Sequence, residues 1–390
     1  VSPQISRPSR QPADVAVIGA GVFGAWTAVQ LLRSGRRVVL VDAFGPGNAR
    51  SSSGGESRII RMGYGAEEVY TRMALRSFDL WQEFFRDSFD VLFHQTGVLW
   101  LARDDDPLNK STLETLRAFG VRCSWLSRLE LEAKYPQIAF AGVSWAILEP
   151  LSGVIVARRA VQEVVRYAMR LGATFVREAV RPPAGGESLS HVTTESGVPV
   201  QANTFVFACG AWLPRLFPGL LTPFIQPTRQ EVFFFGTPPG DTRFAVPALP
   251  AWIDFAEGVY GIPDLEHRGM KIAIDRHGPA FDPDRDDRLV TPDALERVRD
   301  VLARRFPALQ HAPLLETRVC QYENSWNGDF LIDRHPGFSN VWIAGGGSGH
   351  GFKHGPAVGE YVASLLDSTA TVEPRFTFAT KSTARARAVY

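Results

Sequence analysis

Near its start the chain carries Gly19-Ala20-Gly21-Val22-Phe23-Gly24, a GxGxxG pattern between an apolar run, Asp14 to Gly19, and a longer run of helical period, Val22 to Ser34. Nothing else in the sequence constrains the fold as tightly, because this spacing needs a strand entering, a tight turn and a helix leaving. The first glycine permits the turn, the second lets backbone N–H groups approach a ligand, and the third lets helix and strand pack closely. A second buried-strand run, Val38 to Asp42, follows at once. Strand, helix, strand in that order demands a parallel sheet. Asp42 lies 18 residues beyond Gly24, where a carboxylate accepts hydrogen bonds from a ribose diol, and the helix N-terminus favours a pyrophosphate. The pattern reads as a dinucleotide site and does not separate NAD from FAD.

Further along, apolar spacing predicts helices over Glu67 to Asp87, Leu108 to Phe119, Ala157 to Leu171 and Pro292 to Phe306. Thr204 to Ala208 reads as another buried strand. Glu231 to Gly236, Gly258 to Ile262 and Met270 to Asp275 read as strands of an antiparallel sheet. Ser51 to Gly55 is a small-residue loop, and Pro238 to Pro250 a linker or long loop. The end returns to the opening style, with a strand Val341 to Ala344, a glycine run and a helix from about Pro356 to Leu366. The stretch after Pro374 is expected to be a loosely held tail.

The 390 residues leave room for two or three domains at about 150 residues each. Lys and Arg number 42 against 41 Asp and Glu, so no basic field attracts phosphate backbones and nucleic acid is not an expected partner. Cys123, Cys209 and Cys320 have no CxxC or His/Cys spacing, which disfavours a disulfide framework and a metal site. Val15 to Leu32 is uncharged and follows Arg7 and Arg10, as a signal peptide or membrane anchor would. Its glycines at a strand-to-helix handover argue against both, so no membrane partner and a cytoplasmic location are expected.

Six segments then stand in a telling order: Gly19 to Gly24 with Asp42, Ser57-Arg58-Ile59-Ile60-Arg61, Gly258 to Pro263, Gly269-Met270-Lys271, Cys320-Gln321-Tyr322 and Gly349-His350-Gly351-Phe352-Lys353. Together they resemble the monomeric sarcosine oxidase family, which includes N-methyltryptophan oxidase and pipecolate oxidase within the D-amino-acid-oxidase-like flavoproteins. The likeness runs from about residue 14 to residue 367. It implies an α/β fold: a Rossmann-like FAD-binding domain with a parallel sheet, assembled from residues 14–90, 150–225 and 325–370, and a substrate domain on a mixed or antiparallel sheet from 91–149 and 226–324. Residues 371–390 would be the tail.

The resemblance implies FAD attached through its 8α-methyl group to the Cys320 sulfur. A lone cysteine is otherwise a small buried hydrophobe, and Cys123 and Cys209 keep that reading. Cofactor contacts are implied for Gly19, Gly21, Val22, Phe23, Gly24, Asp42, Ser57, Arg58, Cys320, Gly346, Gly349, Gly351, Phe352 and Lys353. The family's reaction removes a hydride equivalent from the carbon beside a secondary amine and passes the electrons to oxygen, giving an imine and peroxide. A small amine and molecular oxygen are thus the implied partners, in a monomer. Arg61 and Lys353 match the carboxylate-binding pair, Lys271 the oxygen-activating lysine, Arg58 an arginine over the flavin, and Tyr260 and Tyr322 pocket aromatics. The final helix would aim its N-terminus at the flavin's N1/C2 edge. Two departures stand out. The family often has histidine where this chain has Gly54 and Asp275, and His277 is out of register to replace the second. An Asp275 carboxylate facing the cavity would repel a substrate carboxylate or select a second ammonium, so a larger or differently charged amine than sarcosine is expected. The rival readings are a flavin dehydrogenase serving a partner protein and a non-catalytic flavin-binding protein.

Overall fold

The computed structural model describes residues 13–86, 88 and 90–382. Arg7, Arg10, Asp87 at the end of the second expected helix and the chain beyond residue 382 lie outside the described residues.

The opening motif folds as its spacing requires. Strand β1 (Ala13–Ile18) and strand β2 (Val38–Val41) pair in parallel on either side of helix α1 (Val22–Arg33). All but one of α1's apolar residues are buried, because a crossover helix lies between the sheet and other helices. Helix Gly355–Leu366 crosses it at a glycine: a Cβ on Gly359 would lie 2.5 Å from the Trp26 carbonyl carbon. Trp26 itself packs edge-on against Trp81 and Phe84 of α2 (Glu68–Arg86).

Two large sheets carry the molecule. The first runs Leu331–Arg334, Val341–Gly345, Pro199–Phe207, β1, β2, Thr174–Val176, with His191–Thr193 paired to Pro199–Phe207. Four of its pairings are parallel; Leu331–Arg334 with Val341–Gly345 at one edge and His191–Thr193 with the start of Pro199–Phe207 are antiparallel. The second has eight strands in the order Leu314–Ser325, Ile225–Phe235, Met270–Ile274, Val259–Ile262, Ala251–Asp254, Val98–Ala102, Trp145–Glu149, Ser124–Ser127. All of its pairs are antiparallel except Ala251–Asp254 with Val98–Ala102. A small third sheet joins β3 (Arg58–Ile60) through Gly153–Ile155 to Phe93–His94. Each large sheet thus draws on separated stretches of chain.

Two expectations need correction. The Pro238–Pro250 stretch is a long loop, but not a linker: Phe244 and Leu249 are fully buried in the core of the second sheet. The tail is held as far as it is described, because Phe376 is buried and Lys381 Nζ donates to the Arg375 carbonyl at 2.6 Å and Asn327 Oδ1 at 3.3 Å. A lysine so placed is tied by those acceptors rather than solvated. Among the described residues no helix is long and apolar enough to cross a membrane.

Candidate active site

The three glycines of the opening turn behave differently. Gly19 has φ +105°, and a Cβ there would sit 2.4 Å from the Ala208 carbonyl oxygen. Gly24 is excluded from any larger residue by its own turn, since its Cβ would lie 1.8 Å from the Gly19 oxygen. Gly21 caps α1 without a side-chain hydrogen bond of its own; Ser53 Oγ accepts the first helical N–H, that of Val22, at 3.0 Å, and the rest of the helix end remains for a ligand. Beyond it lies a cavity of about 550 Å³, lined by Gly19, Gly21, Val22, Phe23 and Asp42 on one side and by Arg58, Gly349, Gly351 and Phe352 on the other. Asp42 accepts the backbone N–H groups of Ala20, Phe44 and Gly45 at 2.8 to 2.9 Å. Burial pushes its carboxyl up, and those three donors oppose the rise. The sequence reading missed this bracing of the turn.

It also missed Glu323, which lines the large cavity. One Glu323 oxygen accepts the Gly347 N–H at 3.0 Å, and the other has no hydrogen-bond partner among the described residues. Burial pushes this carboxyl up to about 7. Ser52 Oγ, another lining group, is likewise unpartnered among the described residues. A helix N-terminus capped by a glycine, a glycine-built wall and unpaired buried polar atoms are what an elongated dinucleotide would satisfy, so the cradle fits FAD.

A second pocket, of about 80 Å³, adjoins the first; Arg58, Tyr322, Gly349 and Phe352 line both. Cys320 and Tyr322 reach it together because side chains two apart on a strand share a face. Arg58 Nη2 lies 3.6 Å from Cys320 Sγ and donates to the Ser52 carbonyl at 2.7 Å. Arg61 follows β3 into the pocket and is buried with its guanidinium 4.6 Å from the Tyr64 ring centre and 4.8 Å from that of Trp100. Its loop is held by Glu149, which accepts the N–H groups of Met62 and Gly63 and the Trp100 indole N–H. Lys353 Nζ donates to Tyr64 Oη at 2.7 Å and to the His350 carbonyl at 3.0 Å. Burial, then the Arg61 charge, hold its ammonium well below the usual lysine range. Asp275 also lines this pocket and accepts the Tyr322 hydroxyl at 2.6 Å. Tyr64 and Glu149 carried no signal beyond ordinary packing residues, and His350 none beyond its place in the Gly349 to Lys353 segment, because their roles come from segments distant in sequence.

Not every expected residue lines a cavity. Gly24 is a packing residue. Gly346 forms a left-handed turn, φ +69°, against the backbone of Asp329 to Leu331. Ser57 presents its carbonyl to Lys271 Nζ at 3.1 Å. Lys271 is itself buried 5.4 Å from the Tyr260 ring centre and lines neither cavity; burial, then Arg58, depress its pKa. Cys320 and Lys353 line the small pocket and Tyr260 does too. The helix Gly355–Leu366 does not reach the cavity wall: the short turn Phe352–His354 intervenes, and the Ala357 N–H is taken by Ser77. Gly54 opens no space in either pocket, since a Cβ there would lie 1.7 Å from the Asn48 oxygen.

A dinucleotide cradle on a parallel sheet, joined to a small charged pocket on an antiparallel one, defines the class as a dinucleotide-dependent oxidoreductase. The chain belongs to the FAD-dependent oxidoreductase (DAO) family, whose model matches residues 14–365. It is 32% identical over 366 residues to a monomeric sarcosine oxidase of Bacillus sp. (strain NS-129), covering 92% of this chain and 94% of that protein. To an N-methyl-L-tryptophan oxidase of Citrobacter koseri it is 27% identical, covering 90% and 94%. The crystal structure of L-proline dehydrogenase from P. horikoshii superposes with a TM-score of 0.81 at 25% identity, covering 93% of this chain and 96% of that one.

Proposed function

We propose that this protein is an FAD-dependent oxidase of a small secondary amine bearing a carboxylate, an N-alkyl or cyclic amino acid. The observation that carries this reading is the meeting of Arg61, Lys353, Tyr322 and Asp275 in one small pocket at the edge of a dinucleotide cradle. FAD, when bound, supplies the two-electron chemistry. Gly19, Gly21 and the α1 N-terminus would hold its pyrophosphate. Asp42, with three of about four acceptor positions used, has one left for a ribose hydroxyl. Cys320 would anchor the cofactor covalently, with Arg58 beside the sulfur.

The protein's own part is positioning. Arg61, stiffened by its aromatic neighbours, and Lys353, held by Tyr64, form a two-point clamp for a carboxylate. The pocket is small, about 80 Å³, and so suits a small amine. This favours a small amine over the larger one expected from the missing histidines. Lys271, buried beside Tyr260 and Arg58, is the cation for oxygen activation.

Screening secondary amines for anaerobic bleaching of the flavin tests the reading; N-methylglycine, L-proline and L-pipecolate should bleach it, and failure of every amine would overturn it. The dehydrogenase alternative has a specific observation behind it, the fold and identity shared with the L-proline dehydrogenase. Peroxide formed stoichiometrically with amine consumed in air separates the two. Acid precipitation should leave the yellow colour in the pellet for the unmutated protein and release it for Cys320→Ala; colour wholly in the supernatant would sink the covalent link.

A further inference from the structure

We propose that Asp275 is the proton acceptor for the substrate's ammonium group, taking the N–H proton onto its carboxylate once the substrate carboxylate is clamped by Arg61 and Lys353. The proposal rests on the amine-oxidase reading above. The step balances without any electron transfer to an acceptor: an N–H bond breaks, its electron pair stays on nitrogen, and an O–H bond forms on Asp275. The product is a neutral amine, whose lone pair can stabilise positive charge at the neighbouring carbon when its C–H bond is cleaved; an ammonium nitrogen has no such pair.

Placement singles out Asp275. Among the described residues two acidic groups border the small pocket, Asp275 and Glu231. Glu231 is already engaged: one oxygen accepts from Arg229 and the Thr291 N–H, and the other accepts the Thr291 hydroxyl. Asp275 follows strand Met270–Ile274, and its N–H is tied to the Gly258 carbonyl at 2.8 Å, which fixes the backbone from which the carboxylate projects. Its Oδ1 accepts the Tyr322 hydroxyl. The charged and titratable groups around it come from every side: Tyr322 from Leu314–Ser325, Arg61 from the loop after β3, Lys353 from the turn Phe352–His354, Tyr260 from Val259–Ile262, and His277 two residues along its own segment.

The energetics run the right way. An ordinary amine holds its proton about six units more tightly than an ordinary carboxylate. Desolvation raises the Asp275 carboxyl, against the Tyr322 hydrogen bond and the Arg61, His277 and Lys353 charges that lower it. Lys353 reports what the same surroundings do to an amine: burial and then Arg61 depress it strongly, outweighing the Asp275 and Glu149 charges that raise it. A substrate ammonium placed there meets both effects, so the donor weakens its hold while the acceptor strengthens its own.

Asp275→Asn keeps an acceptor oxygen for Tyr322 and removes the proton acceptor. The rate of anaerobic flavin bleaching by whichever of the three amines reduces the wild type should be followed from about pH 6 to 10. The variant should be slower at pH 7 by on the order of a thousandfold, because only the free amine in solution is then productive. The deficit should close by about tenfold per pH unit toward the amine's own pKa. Uniform slowing at every pH, or no slowing, would overturn the proposal. Tyr322→Phe keeps the carboxylate but loses the hydrogen bond that lowers its pKa, so the acid limb of the rate profile should move to higher pH; an unmoved limb counts against it. Lys353→Met should raise the half-saturating concentration without the tenfold-per-unit slope, and appearance of that slope would assign the proton to Lys353 instead. (Methylthio)acetate, which has the carboxylate and no ammonium, should bind Asp275→Asn at least as tightly as wild type in a spectral titration; weaker binding would mark a distorted pocket and defeat the assignment. If no amine bleaches the wild type, the oxidase reading itself fails and takes the proposal with it.

Discussion

The large cavity and the small pocket that adjoins it are built on opposite plans. The first is mostly backbone: glycines that admit no Cβ, amide N–H groups on Asp42, and a helix end whose N-cap glycine offers no side chain. The second is mostly side chain: among the described residues, three cations, two carboxylates and two phenols are brought from six separate stretches of chain. A backbone cradle recognises what every dinucleotide shares and tolerates little change. A side-chain pocket can exchange one group for another and so decides which small molecule is oxidised.

The contrast is most open to attack at Gly24. Gly24→Val would drive its Cβ into the Gly19 carbonyl, and neither backbone can yield, so the cost should exceed the ~1–3 kcal/mol of ordinary overpacking. The expected outcome is colourless, poorly folded protein, read from visible absorbance and thermal melting; a yellow protein of normal stability would show that the cradle is not backbone-limited. Next in size is Lys271→Met. It should slow reoxidation by at least about a hundredfold, the scale of losing one preorganised charge, while anaerobic reduction by amine changes far less. Stopped-flow of the two half-reactions checks this, and equal slowing of both would reduce Lys271 to a packing role.

Arg61→Met and Lys353→Met should each weaken binding of acidic substrates by about tenfold to somewhat over a hundredfold, the worth of a charge-assisted hydrogen bond of about 1.5–3 kcal/mol. Amide analogues should lose much less. A wild-type preference for amide over acid, undiminished in both variants, would break the clamp.

The smallest effect concerns the one carboxyl that, among the described residues, is buried without full pairing in the cradle. Glu323 has a folded pKa raised to about 7 from an ordinary 4.5, so the folded state binds more protons than the unfolded one between those values. Stability of the cofactor-free protein should therefore fall as pH rises from about 4.5 to 7, by at most about 3 kcal/mol at ~1.4 kcal/mol per unit. Glu323→Gln should remove that slope and melt a few degrees higher at pH 8. An unchanged slope would show that Glu323 is not the group responsible.

The comparison also marks how far the sequence could be read. Gly19 to Gly24, the strands around them and the helices 68–86, 107–118 and 157–170 were legible because helix and strand periods and a glycine turn are local properties. Arg61, Lys353 and Tyr322 were legible only as pieces of a family pattern, since each alone resembles an ordinary charged or packing residue. Gly54 misled for a physical reason: the Asn48 carbonyl occupies the space that a missing side chain was expected to leave.

By itself the sequence determined the dinucleotide turn and the parallel sheet it nucleates, because those follow from spacing within a few dozen residues, and the resemblance of six segments spread along the chain pointed to a flavoprotein family. Only the tertiary structure decided that Asp275 and Tyr322 share a pocket with Arg61 and Lys353, that Glu149 holds the loop after Arg61 and Tyr64 accepts from Lys353, and that Glu323 is left half-paired in the cradle. Those outcomes depend on pairing between strands and loops tens to hundreds of residues apart, and on desolvation, which belongs to the packed assembly and to no single segment.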